Sequence, residues 1–223
     1  MLLNDRAKAL IGETLGTAFL VIAVVGSGIA AQRLTANAGL QLLINASATG
    51  GALVALISAF AAVGPARFNP AVTLIALLTH RIRARDAILE TLAQTIGACT
   101  GAIAANVMFG VDAIQISTHN RSAGRLVFAE VIATIGLLLV IYLTAHRAGP
   151  TTIALGVAGY ITGAYFFTSS TSFANPAVTI ARTLTNTFTG IAPSSASRFI
   201  AAQVAGTAIA AVFLHILRPA SPQ

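Results

Sequence analysis

Two copies of Asn-Pro-Ala-Val-Thr, at 69–73 and 175–179, place the same polar pattern in two apolar settings. Their chemistry is recognition rather than bond making. Asn is a favoured N-cap and Pro a favoured first helical residue, so Asn69-Pro70-Ala71 and Asn175-Pro176-Ala177 each open a helix. A carboxamide held by its own cap still has NH2 donors for a passing solute. The helix end behind it adds unpaired N–H groups and about half a positive charge. Two such ends facing each other at mid-membrane repel cations and disfavour a proton wire, while a neutral hydroxylic solute can use the donors. Catalysis has no comparable support. His80, His119, His146 and His215 fall in or beside different predicted loops, and no His, Cys or carboxylate cluster has the spacing of a metal site or a triad. No enzyme activity, metal or cofactor is expected, and the lone Cys99 cannot form an internal disulfide.

The elements that must position these boxes are set by composition. The chain has 223 residues, of which 56% are hydrophobic and 9% charged, and its mean hydropathy is +0.84. Soluble domains carry about 25% charge. Apolar runs near 9–31, 38–63, 87–109, 125–145, 152–169 and 197–217 each approach the roughly 20 residues that a spanning helix needs. The first is too long for a cleavable signal peptide and merges into the second. The pattern after each Asn-Pro is too short to cross a bilayer. The expected fold is an all-α membrane protein with six transmembrane helices and two half-helices.

The net charge of +7 does not point to nucleic acid, because the positive residues punctuate loops and form no single face. Six spans put both termini on one side. That side carries Arg6, Lys8, Arg67, Arg81, Arg83, Arg85, Arg147 and Arg218; the other carries Arg33, Arg121, Arg125, Arg182 and Arg198. Positive charge collects on the cytoplasmic side, so a cell (inner) membrane protein with both termini cytoplasmic is expected.

The two halves repeat each other. Leu92-Ala93-Gln94-Thr95-Ile96-Gly97 matches Ala201-Ala202-Gln203-Val204-Ala205-Gly206, and Gly12-Glu13-Thr14 matches Ala129-Glu130-Val131. Repeat one covers about 9–109 and repeat two about 125–217, joined by a polar linker near 110–124 within one domain. Each repeat has three spans, an odd number, so the second is inverted and the two loops meet near the midplane from opposite faces. Irregular backbone at that depth must line a water-filled path or be buried in protein. Polar groups within spans face the bundle interior. Gln94 and Gln203 are therefore candidate donors to loop carbonyls, and Glu13 and Glu130 candidate acceptors for loop N–H groups. Small residues in the spans, among them Gly16, Gly51, Gly97, Gly101, Gly159 and Gly206, allow close helix approach.

These residues resemble those of the aquaporin or major intrinsic protein family, from about Gly12 to Leu217. The resemblance rests on both Asn-Pro-Ala boxes, on Glu13 and Glu130, and on Ala93-Gln94 and Ala202-Gln203. It implies a homotetramer in the lipid bilayer, with one pore per subunit passing water or small uncharged solutes passively. The chain departs from the family at the second box, which usually continues with Arg where Val178 stands. Counting from the Asn residues maps the other constriction positions to Thr49, Gly163 and Ser172. All four are small and uncharged, which implies a wide outer constriction lined by two hydroxyls and one apolar patch. Arg182, one turn after Val178, points either to the pore mouth or to loop carbonyls. Arg67 replaces the His usual two residues before the first Asn, and lies either in the cytoplasmic vestibule or against lipid headgroups. The run Ser169 to Val178 is similar to that of a bacterial, aquaglyceroporin-like subgroup linked with arsenic resistance. That likeness implies arsenite, neutral As(OH)3, with methylated arsenicals and glycerol-like solutes. An ordinary water or glycerol facilitator, and a non-conducting membrane scaffold, are the alternatives.

Overall fold

The computed structural model describes residues 4–146 and 148–217. Its helices are α1 Asp5–Leu34, α2 Ala38–Phe60, α3 Pro70–Leu78, α4 Ala84–Met108, α5 Gly124–Ala145, α6 Pro150–Phe167, α7 Pro176–Ala181 and α8 Pro193–Ile216. A single 3₁₀ turn, Arg182–Leu184, follows α7. Cap chemistry sets several starts. Asn4 accepts from the Ala7 amide and Asn37 from the Leu40 amide, while Pro150 and Pro193 occupy first helical positions.

Five of the long helices are apolar enough to span a membrane by length and hydropathy. The sixth expected span is α6, whose 18 residues include Thr151, Thr152, Tyr160, Thr162 and Tyr165. These polar groups dilute its hydropathy. α6 begins two residues before the expected 152 and ends two before 169, because Thr168 is already extended. Its packing against α2 and α5 keeps it within the bundle. Large apolar side chains such as Phe19, Ile96, Phe128, Leu155 and Val212 are exposed around the outside, where a bilayer supplies the apolar solvent.

The order α1–α2–α3–α4 recurs as α5–α6–α7–α8, an inverted 3+3 repeat in which α1 packs on α4 and α5 on α8. A Cβ at Gly97 or Gly101 would collide with the backbone of Thr14 or Ala18, and one at Gly206 would sit 2.9 Å from the Val131 carbonyl. These glycines therefore let paired helices touch along their backbones. Gly51 and Gly159 meet nothing within 4 Å, so they serve no close approach within the chain. Arg6, Lys8, Arg67, Arg81, Arg83 and Arg85 fall at the end that carries the termini, and Arg33, Arg121, Arg125, Arg182 and Arg198 at the far end. Arg147 and Arg218 lie outside the described residues.

The linker is more than a tether. The Gln115 amide donates to the Leu184 carbonyl (2.9 Å), the Ser117 amide to Thr183 (2.9 Å), and the Ala192 amide to His119 (2.8 Å). It thereby lies against the segment that leaves the second half-helix.

Candidate functional site

Each box folds as its residue types dictate. Asn69 caps α3, with Oδ1 accepting from the Ala71 amide at 2.8 Å. Asn175 caps α7, accepting from Ala177 at 3.0 Å and Val178 at 3.2 Å. The other end of each carboxamide crosses to the opposite loop. Asn69 Nδ2 donates to the Ala174 carbonyl and Asn175 Nδ2 to the Phe68 carbonyl, both at 2.8 Å. The two loops are thus tied together by reciprocal hydrogen bonds. Each amide keeps one N–H for the lumen, fewer than the free NH2 anticipated.

Left-handed backbone recurs at matched positions, Ala66 and Phe68 before Asn69 and Ser172 and Ala174 before Asn175. Such conformations cost about 1–3 kcal/mol each for ordinary residues. They turn successive N–H groups to one side, where a buried carboxylate collects them. Glu13 accepts from the Arg67 and Phe68 amides at 2.8 Å each, and Glu130 from Phe173 and Ala174 at 2.9 Å each. Gln94 and Gln203 do not reach loop carbonyls. Their Nε2 atoms donate to Glu13 (2.6 Å) and Glu130 (2.7 Å), and to the hydroxyls of Thr73 (3.0 Å) and Thr179 (2.9 Å). The physical reason is that the carboxylates, with several lone pairs, are the stronger acceptors at that depth. Thr73 and Thr179 complete the supports and were legible as the last residue of each repeated pentapeptide.

A cavity of about 340 Å³ runs past both Asn residues. Leu20 and Val24 of α1 face it as Leu137 and Ile141 of α5 do, which are equivalent positions in the two repeats. α6 contributes Ile153, Val157, Ile161 and Tyr165, a single stripe at helical spacing. Most of the wall is apolar, and the polar groups belong to the inserted loops and the cavity ends.

Thr49, Ser172 and Val178 all line the far part of this cavity. Gly163 does not. It lies two residues, about 200° of helix rotation, from Tyr165, and a Cβ there would face the Phe167 ring at 3.6 Å. Tyr165 takes the wall position instead, and its hydroxyl lies 3.1 Å from Thr49 Oγ1. The phenol and the Phe173 ring add two aromatic groups to a wall expected to carry small residues only. It is also not uncharged. Arg182, 3% exposed, lines the cavity, donates through Nε to the Thr189 carbonyl and covers the Phe173 ring. It therefore meets both of the alternatives open for it. Arg121 of the linker lies on the same ring at 5.3 Å from the centroid and donates to Gly190 O at 3.0 Å. Burial pulls its guanidinium below the usual arginine value, though it remains charged at neutral pH.

At the terminal end, Arg67 lines the cavity, and its Nη1 reaches both oxygens of Glu90 at 2.7 and 2.6 Å. This part-buried pair turns the Arg67 guanidinium inward, toward Glu90. Glu90 also accepts from Thr73 at 3.3 Å. Arg81 lies over the Tyr142 ring, 4.4 Å from its centroid, at the same mouth. Among the described residues no group of His, Cys, Asp and Glu could hold a metal ion. The arrangement can bind and pass a small neutral molecule along a polar strip opposite an apolar wall.

The comparisons agree with this geometry. A family model described as major intrinsic protein matches residues 3–152. Aquaglyceroporin AqpS of Rhizobium meliloti (strain 1021) is 41% identical over 222 residues, covering 98% of this chain and 94% of that protein. Probable aquaporin TIP2-2 of Oryza sativa subsp. japonica is 32% identical over 163 residues, 70% of this chain and 66% of its own length. The X-ray structure of the aquaglyceroporin from Plasmodium falciparum superposes with a TM-score of 0.74 at 21% identity, covering 95% of this chain and 96% of that one, a likeness of fold. The chain therefore belongs to the major intrinsic protein family and is a multi-pass membrane channel, not an enzyme.

Proposed function

We propose that this channel passes water, glycerol-sized polyols and arsenite, with methylated arsenicals as further substrates, down their gradients. The observation that carries the reading is a cavity bordered by both Asn caps, with two helix N-termini facing each other and an apolar wall opposite. Positive helix ends at the midplane oppose cations, and an apolar wall gives an ion no replacement for its hydration shell. A neutral hydroxylic solute loses less on entry and regains hydrogen bonds from Asn69, Asn175 and the hydroxyls of Thr49, Ser172 and Tyr165. As(OH)3 is such a solute, three hydroxyls on a small centre, and a methyl in place of one hydroxyl would suit Val178 and Phe173. The 41% identical relative is called an aquaglyceroporin, which agrees with a polyol-sized path.

In this reading Thr49, Tyr165, Ser172 and Val178 act as the outer selectivity region, and Arg67 with Arg81 shapes the cytoplasmic vestibule. The protein sits in the inner membrane as a homotetramer with both termini cytoplasmic, each subunit with its own pore. The excess of Arg and Lys at the terminal end supports that orientation, and the exposed apolar belt leaves area for neighbouring subunits. Stopped-flow light scattering on proteoliposomes tests the substrates: water, glycerol and arsenite should all equilibrate faster than in protein-free vesicles. Water flux without arsenite or glycerol flux would overturn the metalloid reading.

A further inference from the structure

The far end of α4 carries an apolar surface that the pore does not use. Ile88, Leu92, Ile96, Thr100 and Val107 are exposed at helical spacing, one row along the outer side of the helix. Thr100 turns its hydroxyl back onto the Ile96 and Gly97 carbonyls, at 3.0 and 2.9 Å, so this hydroxyl is satisfied within the helix, as lipid requires. At about 1.5 Å per residue the row from Ile88 to Val107 covers roughly 29 Å, close to the thickness of a bilayer's hydrocarbon core, about 30 Å. The hydrocarbon boundary at the far end therefore falls near Val107.

The linker returns to that level. Asn106, fully buried, donates from Nδ2 to the Ala113 carbonyl at 3.1 Å and to the Leu184 carbonyl at 3.0 Å. The chain that left α4 after Met108 is thus pinned back beside its last turn. From there the side chains alternate. Ser117 is buried and Gln115 half-buried, while Ile114 is 57% and Ile116 59% exposed. A strand with one face in water shows the opposite pattern, polar side out; apolar-out alternation is what a strand presents to lipid. The Gln115 and Ser117 amides are taken up by Leu184 and Thr183. Those of Ile114 and Ile116 make no hydrogen bond among the described residues. That backbone belongs among headgroups and water, which accept from it, rather than in hydrocarbon.

We propose that Ile114 and Ile116, with Val107 and Met108, form a lipid-contact surface that seats the linker at the headgroup–acyl boundary of the far leaflet. The occupant is the bilayer itself. All four side chains are exposed, and they continue the outward row of α4 at the height where that row leaves the hydrocarbon. The two isoleucines reach the acyl chains while the backbone stays at headgroup level, the depth at which an interfacial amphipathic segment lies. Through Leu184 and Thr183 this seat steadies the turn Arg182–Leu184 that follows the second half-helix. The surface serves in the same way whichever solutes pass.

The chain has no tryptophan, so a single introduced one reports its own surroundings. In phosphatidylcholine liposomes, Ile114→Trp and Ile116→Trp should lose most of their emission when the lipid carries bromine on its acyl chains, as Ile96→Trp should on the α4 row. His119→Trp, exposed further along the linker, should lose several-fold less and respond instead to acrylamide in the water. Tryptophan itself favours membrane interfaces, so a second pair of variants removes that bias. In a Cys99→Ala background, Ile116→Cys should react several-fold more slowly than His119→Cys with a charged maleimide supplied on both sides of the membrane. Residues 114, 116 and 119 are exposed, so substitution there leaves the core intact. Acrylamide quenching and fast labelling at 114 and 116 would overturn the lipid seat in favour of a solvent-facing loop. Protection from brominated lipid and acrylamide alike would overturn it in favour of a second copy of the chain lying on the patch.

Discussion

Glu13 and Glu130 show how one carboxylate can hold an irregular loop at membrane depth. Each accepts two backbone N–H groups and one glutamine amide. Replacing Glu13 with Gln would leave one oxygen where two accept and point an NH2 group at an N–H donor. The loss expected is about 1–3 kcal/mol for the group left unpaired, read as a lower unfolding temperature in detergent. Asn175→Asp separates the two jobs of the carboxamide. The cap to Ala177 and Val178 survives, the bond to the Phe68 carbonyl is lost, and a negative charge appears beside the facing helix ends. Cation leak should rise while water flux persists, as measured by vesicle potassium efflux; unchanged selectivity would place Asn175 outside the path. These residues were legible because each occurs twice at equivalent spacing. Tyr165 was not. Its position was sought by counting back from Asn175, and that count crosses a loop with left-handed residues at Thr171, Ser172 and Ala174, where residue number no longer tracks direction. The apolar stripe Ile153–Val157–Ile161 would have led to it.

At the scale of elements, length and contact divide the labour. α3 has nine residues and α7 six, enough to present an N-terminus and too few to reach the other side. They stay in place because the long helices pair closely around them. Gly97→Leu would drive a side chain into the Thr14 backbone and force α1 from α4, at a cost of roughly 1–3 kcal/mol or more. Gly159→Leu, with open space at its Cβ, should leave thermal stability unchanged, and the pair of melting curves checks the assignment. Hydrophobic run length located all six spans, since lipid demands it. It did not reveal that the linker pairs with 183–192, because backbone hydrogen bonds leave no mark on side-chain pattern.

For the whole molecule, the repeat is symmetric where it holds the loops and asymmetric where it meets solute. Arg67 and Glu90 form an ion pair at one end. The equivalent positions at the other end are Phe173 and Phe199, edge-to-face with centroids 5.1 Å apart. One mouth therefore carries a neutralised pair, the other an aromatic pair topped by Arg182. Val178→Arg would place a second guanidinium one turn from Arg182. Glycerol flux should fall by a larger factor than water flux in stopped-flow assays, because the larger solute needs the width. The expectation of an outer end lined by small, uncharged residues alone differs from the structure here: a phenylalanine of the loop and an arginine beyond it reach the cavity through tertiary folding that no local pattern records.

Small neutral solutes should cross the membrane passively through the cavity between the two Asn caps. Stopped-flow light scattering on proteoliposomes, with water, glycerol and arsenite compared against protein-free vesicles, is the experiment to make first. Accelerated entry of all three, without potassium leak, is the predicted result. Vesicles that admit none of them faster than bare lipid would contradict it.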